Sequence, residues 1–219
     1  MTPSDKQIVL SWEDNARAWV DAVREQRIDS REAATNQAIV DRVLALKPTT
    51  VMDIGCGEGW LARRLARHGI GVSGFDAVEA LVASAREQGG GFFYQFNYDD
   101  MASGKISLRA DLLVCNFSLL GKEPEARMLA ALPAHIRPGG ALLIQTVHPA
   151  TQSDKEEGWR EEDWRGFGDG FKTASPWYYR PPAQWQALLN KAGFGSVKMD
   201  EVVHPQTGQP LSLILLARP

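Results

Sequence analysis

Val51-Met52-Asp53-Ile54-Gly55-Cys56-Gly57-Glu58-Gly59-Trp60 decides the fold. A short apolar run, Thr50 to Ile54, meets glycines at alternate positions, and a helical pattern opens directly behind them. Gly55 and Gly57 remove Cβ where a ligand lies against the backbone, and they admit φ/ψ values closed to other residues. The loop N–H groups and the helix N-terminus then face that ligand. A dinucleotide site asks for G-x-G-x-x-G/A. Here the last glycine position falls on Trp60, too large for close helix–strand contact. Asp53 would repel a pyrophosphate and suits a ligand carrying an ammonium group. The pattern is D-x-G-x-G-x-G.

Outward from the loop, strand and helix patterns alternate. The spacing predicts a helix over 58–68 and strands at Ile70–Phe75, Phe92–Phe96, Asp111–Asn116 and Ala141–Val147. It also predicts helices over 79–88, stopped by Gly89-Gly90-Gly91, and over 123–136, closed by Arg137-Pro138-Gly139-Gly140. The strands are apolar throughout rather than alternating, which marks a parallel sheet covered on both faces. Such alternation gives right-handed crossovers and a doubly wound α/β sheet. Residues 151–180 are polar, rich in Trp and Gly, and read as irregular. A helix near 182–192 follows, then strands at 197–203 and 211–217 joined as an antiparallel hairpin. Upstream, Ser11 and Asp14 resemble a capping box, and Trp12, Ala16, Trp19, Val20 and Val23 draw one helical stripe. A second helix is expected over 35–46. The domain organisation read here is an N-terminal helical cap at 1–48 and one α/β domain at 49–219, with an insert at about 148–180.

The chain has 219 residues, a formal net charge of -3 and no Lys/Arg-rich block, so DNA is not an expected partner. No apolar run is long enough to span a membrane, so no membrane insertion is expected. The first residues lack the pattern of a signal peptide. Cys56 and Cys115 are too few for a disulfide scaffold or a zinc cluster, and the histidines show no ligand spacing. We therefore expect a cytoplasmic location and no metal.

The loop resembles the first motif of class I S-adenosylmethionine-dependent methyltransferases, and the resemblance runs from about Val51 to Pro219. Among these the chain is similar to small-molecule methyltransferases of the ubiquinone/menaquinone-biosynthesis type. The resemblance implies a Rossmann-like, seven-stranded, mostly parallel sheet with a C-terminal antiparallel hairpin. It implies S-adenosyl-L-methionine as cofactor, S-adenosyl-L-homocysteine as product, and in-line methyl transfer to O or N of a small organic molecule. Asp53, Gly55, Cys56 and Gly57 would form the cofactor loop. Asp76, followed by Ala77, would take the ribose hydroxyls, or cap the next helix. Asn97 and the Tyr98 backbone would meet adenine, or Asp99 if the alignment slips. Asn116 and Phe117 would line the methionine side. Asn116-Phe117-Ser118-Leu119 stands where adenine- and glutamine-modifying relatives carry Asn/Asp-Pro-Pro-Tyr, which disfavours those substrates. Cys56 and Cys115 also read as small buried fillers on adjoining strand ends.

The insert carries His148-Pro149, Trp159, Trp164, Phe167, Phe171, Trp177, Tyr178, Tyr179 and Arg180, and its position resembles the family's substrate cover. Tyr178, Tyr179 and Arg180 are expected to line the pocket. Trp159 and Trp164 fit either the pocket or a satellite core. Trp12, Asn15, Trp19 and Arg31 would form the other wall, with Arg31 on the cofactor carboxylate, on an anionic substrate or at the surface. His148, at a strand's ligand-facing end, is the candidate base, or else a turn residue beside Pro149. The catalytic set is thus His148, Tyr178 and Arg180. Competing readings are a non-catalytic S-adenosylmethionine-binding protein and an RNA- or protein-directed methyltransferase. A monomer or homodimer is expected.

Overall fold

Thr50–Ile54 forms the first strand, β1, of a computed structural model that describes residues 3–219. Strands follow at Gly71–Asp76 (β2), Phe92–Gln95 (β3), Ala110–Asn116 (β4) and Ile136–Val147 (β5). Gly158–Glu162 (β6) and Ser175–Tyr179 (β7) pair with each other, and Ser196–Val203 (β8) and Pro210–Arg218 (β9) end the chain. The main sheet has seven strands in the order β3-β2-β1-β4-β5-β9-β8. The first five run parallel, and β9 lies antiparallel between β5 and β8. This is the expected doubly wound sheet with its closing hairpin. The order reverses at β1/β4, so the crevice at the strands' carboxyl ends opens beside the glycine loop.

Helices are Asp5–Arg24 (α1), Asn36–Leu46 (α2), Trp60–Ala66 (α3), Glu79–Gln88 (α4), Tyr98–Ala102 (α5), Glu123–Ala131 (α6) and Pro182–Lys191 (α7). Strand residues alternate between two cores. Val51, Val114, Leu143 and Ile214 pack with Ile39, Leu61 and Val82 on the α2–α4 face. Met52, Leu113, Ile144 and Leu215 pack with Met101, Met128 and Trp185 on the α5–α7 face. Burial on both faces is why the central strands β1, β4 and β5 carry apolar runs rather than alternating.

Several local expectations are corrected. α1 starts at Asp5, and Ser11 is buried mid-helix, where its hydroxyl donates to Thr173 O rather than capping. Met1 and Thr2 of the expected cap lie outside the described residues. A π-helical turn, Arg31–Thr35, precedes α2. Gly59, left-handed at φ 83°, delays α3 to Trp60. The expected helix over 123–136 ends at Ala131, and a 3₁₀ turn (Leu132–His135) leads into β5, which absorbs Arg137 to Gly140. The insert is not wholly irregular, because β6 and β7 form an antiparallel ribbon. α1 packs on α4 and β7 and so touches both the sheet domain and the insert.

Candidate active site

The loop after β1 alternates left-handed glycines, with φ of 73° at Gly55, 55° at Gly57 and 83° at Gly59. Gly55 and Cys56 both donate their N–H to Phe75 O, at 2.7 and 3.0 Å, which ties the loop to β2. A Cβ on Gly55 would lie 2.2 Å from Ser118 Cβ. Ser118 cannot retreat freely, because its hydroxyl donates to Ile54 O at 2.5 Å. Gly55 is therefore demanded by the segment after β4 and not only by a ligand. Gly55→Ala should cost about 1–2 kcal/mol for the backbone and about 1–3 kcal/mol for overpacking. A Cβ on Gly57 would meet only Trp19 Nε1, at 3.5 Å. Gly57→Ala should lose the backbone part alone, and chemical denaturation of the two variants checks the difference.

Asp76 sits across the loop. Its Oδ2 accepts from Gly57 N–H at 2.8 Å, and its Oδ1 accepts from Val78 N–H at 3.0 Å. Burial raises its pKa against those bonds. Ala77 lies next to it, and its carbonyl accepts from Gln95 Nε2 at 3.3 Å. Asp53 is 1% exposed, and its Oδ2 has no hydrogen-bond partner among the described residues. Burial, with Asp76 adding repulsion, pushes its carboxyl up to about 7. Asn116 Oδ1, at the end of β4, is likewise buried and unpartnered. Phe117 follows in left-handed backbone at φ 51°, its N–H donating to Gln145 O at 2.8 Å. A non-glycine residue held there stores strain, as residues at functional sites often do.

The two cysteines occupy adjoining strand ends but opposite faces of the sheet. A Cβ on Gly74 would lie 2.9 Å from Cys56 Sγ, so that side chain fills the space beneath the loop. Burial pushes both thiols up, which leaves them unreactive.

The segment after β3 departs from expectation. Asn97 is the N-cap of α5: its Oδ1 accepts from Asp100 N–H at 2.9 Å, and Asp100 returns the bond. Asp99 is exposed and pairs with Arg127 at 2.7 Å. Tyr98 donates its hydroxyl to Ser118 O, joining α5 to the loop after β4. The side chains of Asn97 and Asp99 are thus committed to protein partners, and the backbone of this turn is what remains for a ring edge.

The N-terminal segment reaches the loop at Trp19, whose Nε1 would lie 3.5 Å from a Cβ on Gly57. Arg31 is 7% exposed, with its guanidinium carbon 5.5 Å from the Trp19 ring centre and 4.8 Å from that of Trp60. Burial lowers its pKa to about 10, with Glu58 pulling the other way. Its Nε donates to Asn36 Oδ1, and among the described residues it has no salt bridge. Glu58 is paired instead with Arg63 at 2.6 Å and Arg24 at 3.6 Å. Trp12, Trp19, Trp164, Phe167 and Phe171 stack into one aromatic cluster that seats the insert on α1. Asn15 bonds Thr173 O and Lys172 N–H, so it staples the insert rather than lining a pocket. Trp12 Nε1 and Tyr179 OH are buried and have no partner among the described residues.

The expected catalytic set does not converge. His148 Nδ1 accepts from Ala150 N–H at 3.0 Å, so the neutral ring carries its proton on Nε2. Nε2 lies 3.2 Å from Glu201 Oε1, out of line for a good hydrogen bond. In this tautomer His148 is a donor and a turn cap, not a base. Arg180 is held by Glu125 at 2.6 Å and by Lys122 O at 3.2 Å, and lies over Tyr178 and Trp185. Tyr178 packs edge-on against Trp159, 5.3 Å between ring centres, with Lys122 over its own ring. Arg180 and Tyr178 anchor the insert to α6. Sequence reasoning missed Thr35 and Gln145, whose Oγ1 and Oε1 are also buried and unpartnered. Gln145 carried a readable signal, a polar residue closing the apolar run Ala141–Ile144.

Comparison with known proteins agrees with this geometry. The family model described as a methyltransferase domain matches residues 24–198. A ubiquinone biosynthesis O-methyltransferase of Coxiella burnetii is 30% identical over 156 residues, which is 68% of this chain and 66% of that protein. The chain thus spans just under two thirds of that relative's length. An S-adenosylmethionine-dependent methyltransferase from Mesorhizobium loti superposes with a TM-score of 0.62 at 22% identity, over 82% of this chain and 96% of that one. An amino pentose methyltransferase from Micromonospora echinaspora does so with 0.61 at 20%, over 84% and 89%. With the family model covering most of its length, this chain belongs to the methyltransferase domain family and has the class I, Rossmann-like methyltransferase fold.

Proposed function

We propose that the chain transfers a methyl group from S-adenosyl-L-methionine to an oxygen or nitrogen of a small organic molecule. The observation that carries this reading is the unpartnered, buried Asp53 Oδ2 at the mouth of the glycine loop. A buried carboxylate without a donor is costly, and a ligand ammonium supplies one. The residues present fit the cofactor. Asp53 and Asn116 would hold its ammonium, Arg31 its carboxylate and Asp76 its ribose hydroxyls. The Gly55–Gly57 backbone would lie along the chain between them, and the turn at Asn97–Tyr98 would border adenine.

S-adenosylmethionine supplies a methyl group already activated on a sulfonium. The protein's work is then alignment, which contributes up to about 7–11 kcal/mol. S-adenosylhomocysteine at about 100 times its dissociation constant should add about 2.7 kcal/mol of stability in a thermal titration, and NAD none. The reverse result would remove the reading. His148→Ala should lower turnover by less than the roughly 10²–10⁴-fold expected for a lost base, with an unshifted pH–rate profile.

The net charge of -3 supports a small acceptor over RNA. The relatives named above point the same way, since their names cite ubiquinone biosynthesis and an amino pentose. Methyl-labelled cofactor should mark the soluble small-molecule fraction and not precipitated RNA or protein.

A further inference from the structure

Gln145 ends β5 at 1% exposure. Its Nε2 donates to Ser212 Oγ at 2.9 Å, which orients the amide and turns Oε1 away from Ser212. That Oε1 is buried and has no partner among the described residues. Its register neighbour on β4 is Asn116, whose Oδ1 is also orphaned. Asp53 on β1 lies on the same face, level with Val114 and Leu143 and so two residues back along the strands from Asn116 and Gln145. All three orphaned atoms are oxygens that accept hydrogen bonds. Thr35, 1% exposed, also has its Oγ1 without a partner among the described residues. It closes the π-helical turn that packs on β8 and β9. Such turns are rare and recur at functional sites. Arg31 opens the same turn, four residues earlier, so one short segment carries both a guanidinium and a hydroxyl.

The cofactor, in the reading above, uses Asp53 and Asn116. It leaves Gln145 and Thr35 without a role, although an unmet buried acceptor is expensive to keep. We propose that Gln145, oriented by Ser212, forms a subsite for the methyl acceptor together with Thr35, whose π turn packs on β9, the strand that carries Ser212. The subsite takes an uncharged O–H or N–H group of that molecule. Its chemistry sets the class, because a carboxamide oxygen and two hydroxyls offer neutral hydrogen bonding and no charge. Gln145 is here a specificity residue, separate from the transfer step. The proposal rests on the methyltransferase reading.

The test uses the full chain with Gln145→Leu and, as the milder change, Thr35→Val. Methyl-labelled S-adenosylmethionine is given with graded dilutions of the small-molecule fraction of a bacterial extract. Both variants should keep the S-adenosylhomocysteine thermal shift and the maximal labelling rate. Both should need at least about tenfold more extract for half-maximal labelling. Thr35→Val should melt higher than wild type without ligand, since an unpaired hydroxyl has been removed, whereas Gln145→Leu also strips the buried Ser212 hydroxyl of its donor and gains nothing. A lost thermal shift would place Gln145 in the cofactor site and overturn the proposal. An unchanged half-saturation in both variants, whatever their melting temperatures, would make these oxygens structural, with the same consequence. A wild type that binds S-adenosylhomocysteine but labels nothing small strikes the small-acceptor reading, and the subsite falls with it. A wild type that ignores S-adenosylhomocysteine strikes the methyltransferase reading itself, so the two failures are distinct.

Discussion

Glu125→Ala should destabilise the fold by about 3–5 kcal/mol, read as a shift in the denaturation midpoint at constant slope. Glu125 is fully buried, and its Oε1 receives Arg180 Nη1 at 2.6 Å while its Oε2 receives Gly121 N–H at 3.0 Å. Truncation leaves a guanidinium, 6% exposed, without its counter-charge beneath the insert. The cost is that of an uncompensated charge, not the worth of the ion pair. The double change Glu125→Leu with Arg180→Met should therefore recover most of the loss, since replacing a buried pair by apolar groups of similar volume is often neutral or better. If the single and double variants are equally unstable, the pair is not what anchors β7 to α6. Thermal titration with S-adenosylhomocysteine should give the double variant a wild-type shift, because neither residue meets the glycine loop.

Arg180 also shows what a sequence can and cannot disclose here. The glycine loop was legible because its constraint is local: left-handed φ at Gly55, Gly57 and Gly59 is written in the residue type. The sheet was legible because strands buried on both faces have no polar face to show. Polar side chains behave differently, since their meaning is their partner. Arg180 finds Glu125 from 55 positions away, and Ser11 finds Thr173 from 162. Read locally, the first is a pocket arginine and the second a helix cap. Asn97 errs in the other direction. Its partner Asp100 is three residues on, a capping box in plain view, but the resemblance drew attention to adenine instead. The remaining unread element was unpartnered polarity. Thr35 Oγ1 and Gln145 Oε1 matter because they have no partner among the described residues, and only a folded chain reveals what is missing.

Asp53 should make cofactor binding depend on pH, in a direction its environment dictates. Its carboxyl is raised from the usual 3.8 to about 7 in the folded protein, chiefly by burial. A raised folded value means that the native state holds the proton more tightly than the unfolded chain. The ligand-free protein should lose stability as pH climbs from about 4 to about 7, by an amount of order a few kcal/mol. An ammonium placed against Oδ2 favours the carboxylate, so binding releases that proton. Below about 7 the apparent affinity should then track the ionised fraction. The dissociation constant of S-adenosylhomocysteine should fall roughly eightfold between about pH 5.5 and about pH 6.5. Calorimetry in buffers of different ionisation heat should show nearly one proton released per ligand at the lower pH. Asp53→Asn keeps the shape and removes the titration. Its ligand-free melting temperature should rise at neutral pH, and its affinity should be weaker but flat across this range. Asp76 is raised in the same direction but keeps its backbone donors, so any pH dependence left in Asp53→Asn belongs to it. A wild type whose affinity is flat from about pH 5.5 to about pH 7 would show that no cation of the ligand meets Asp53. The assignment of the loop's charged end would go with it.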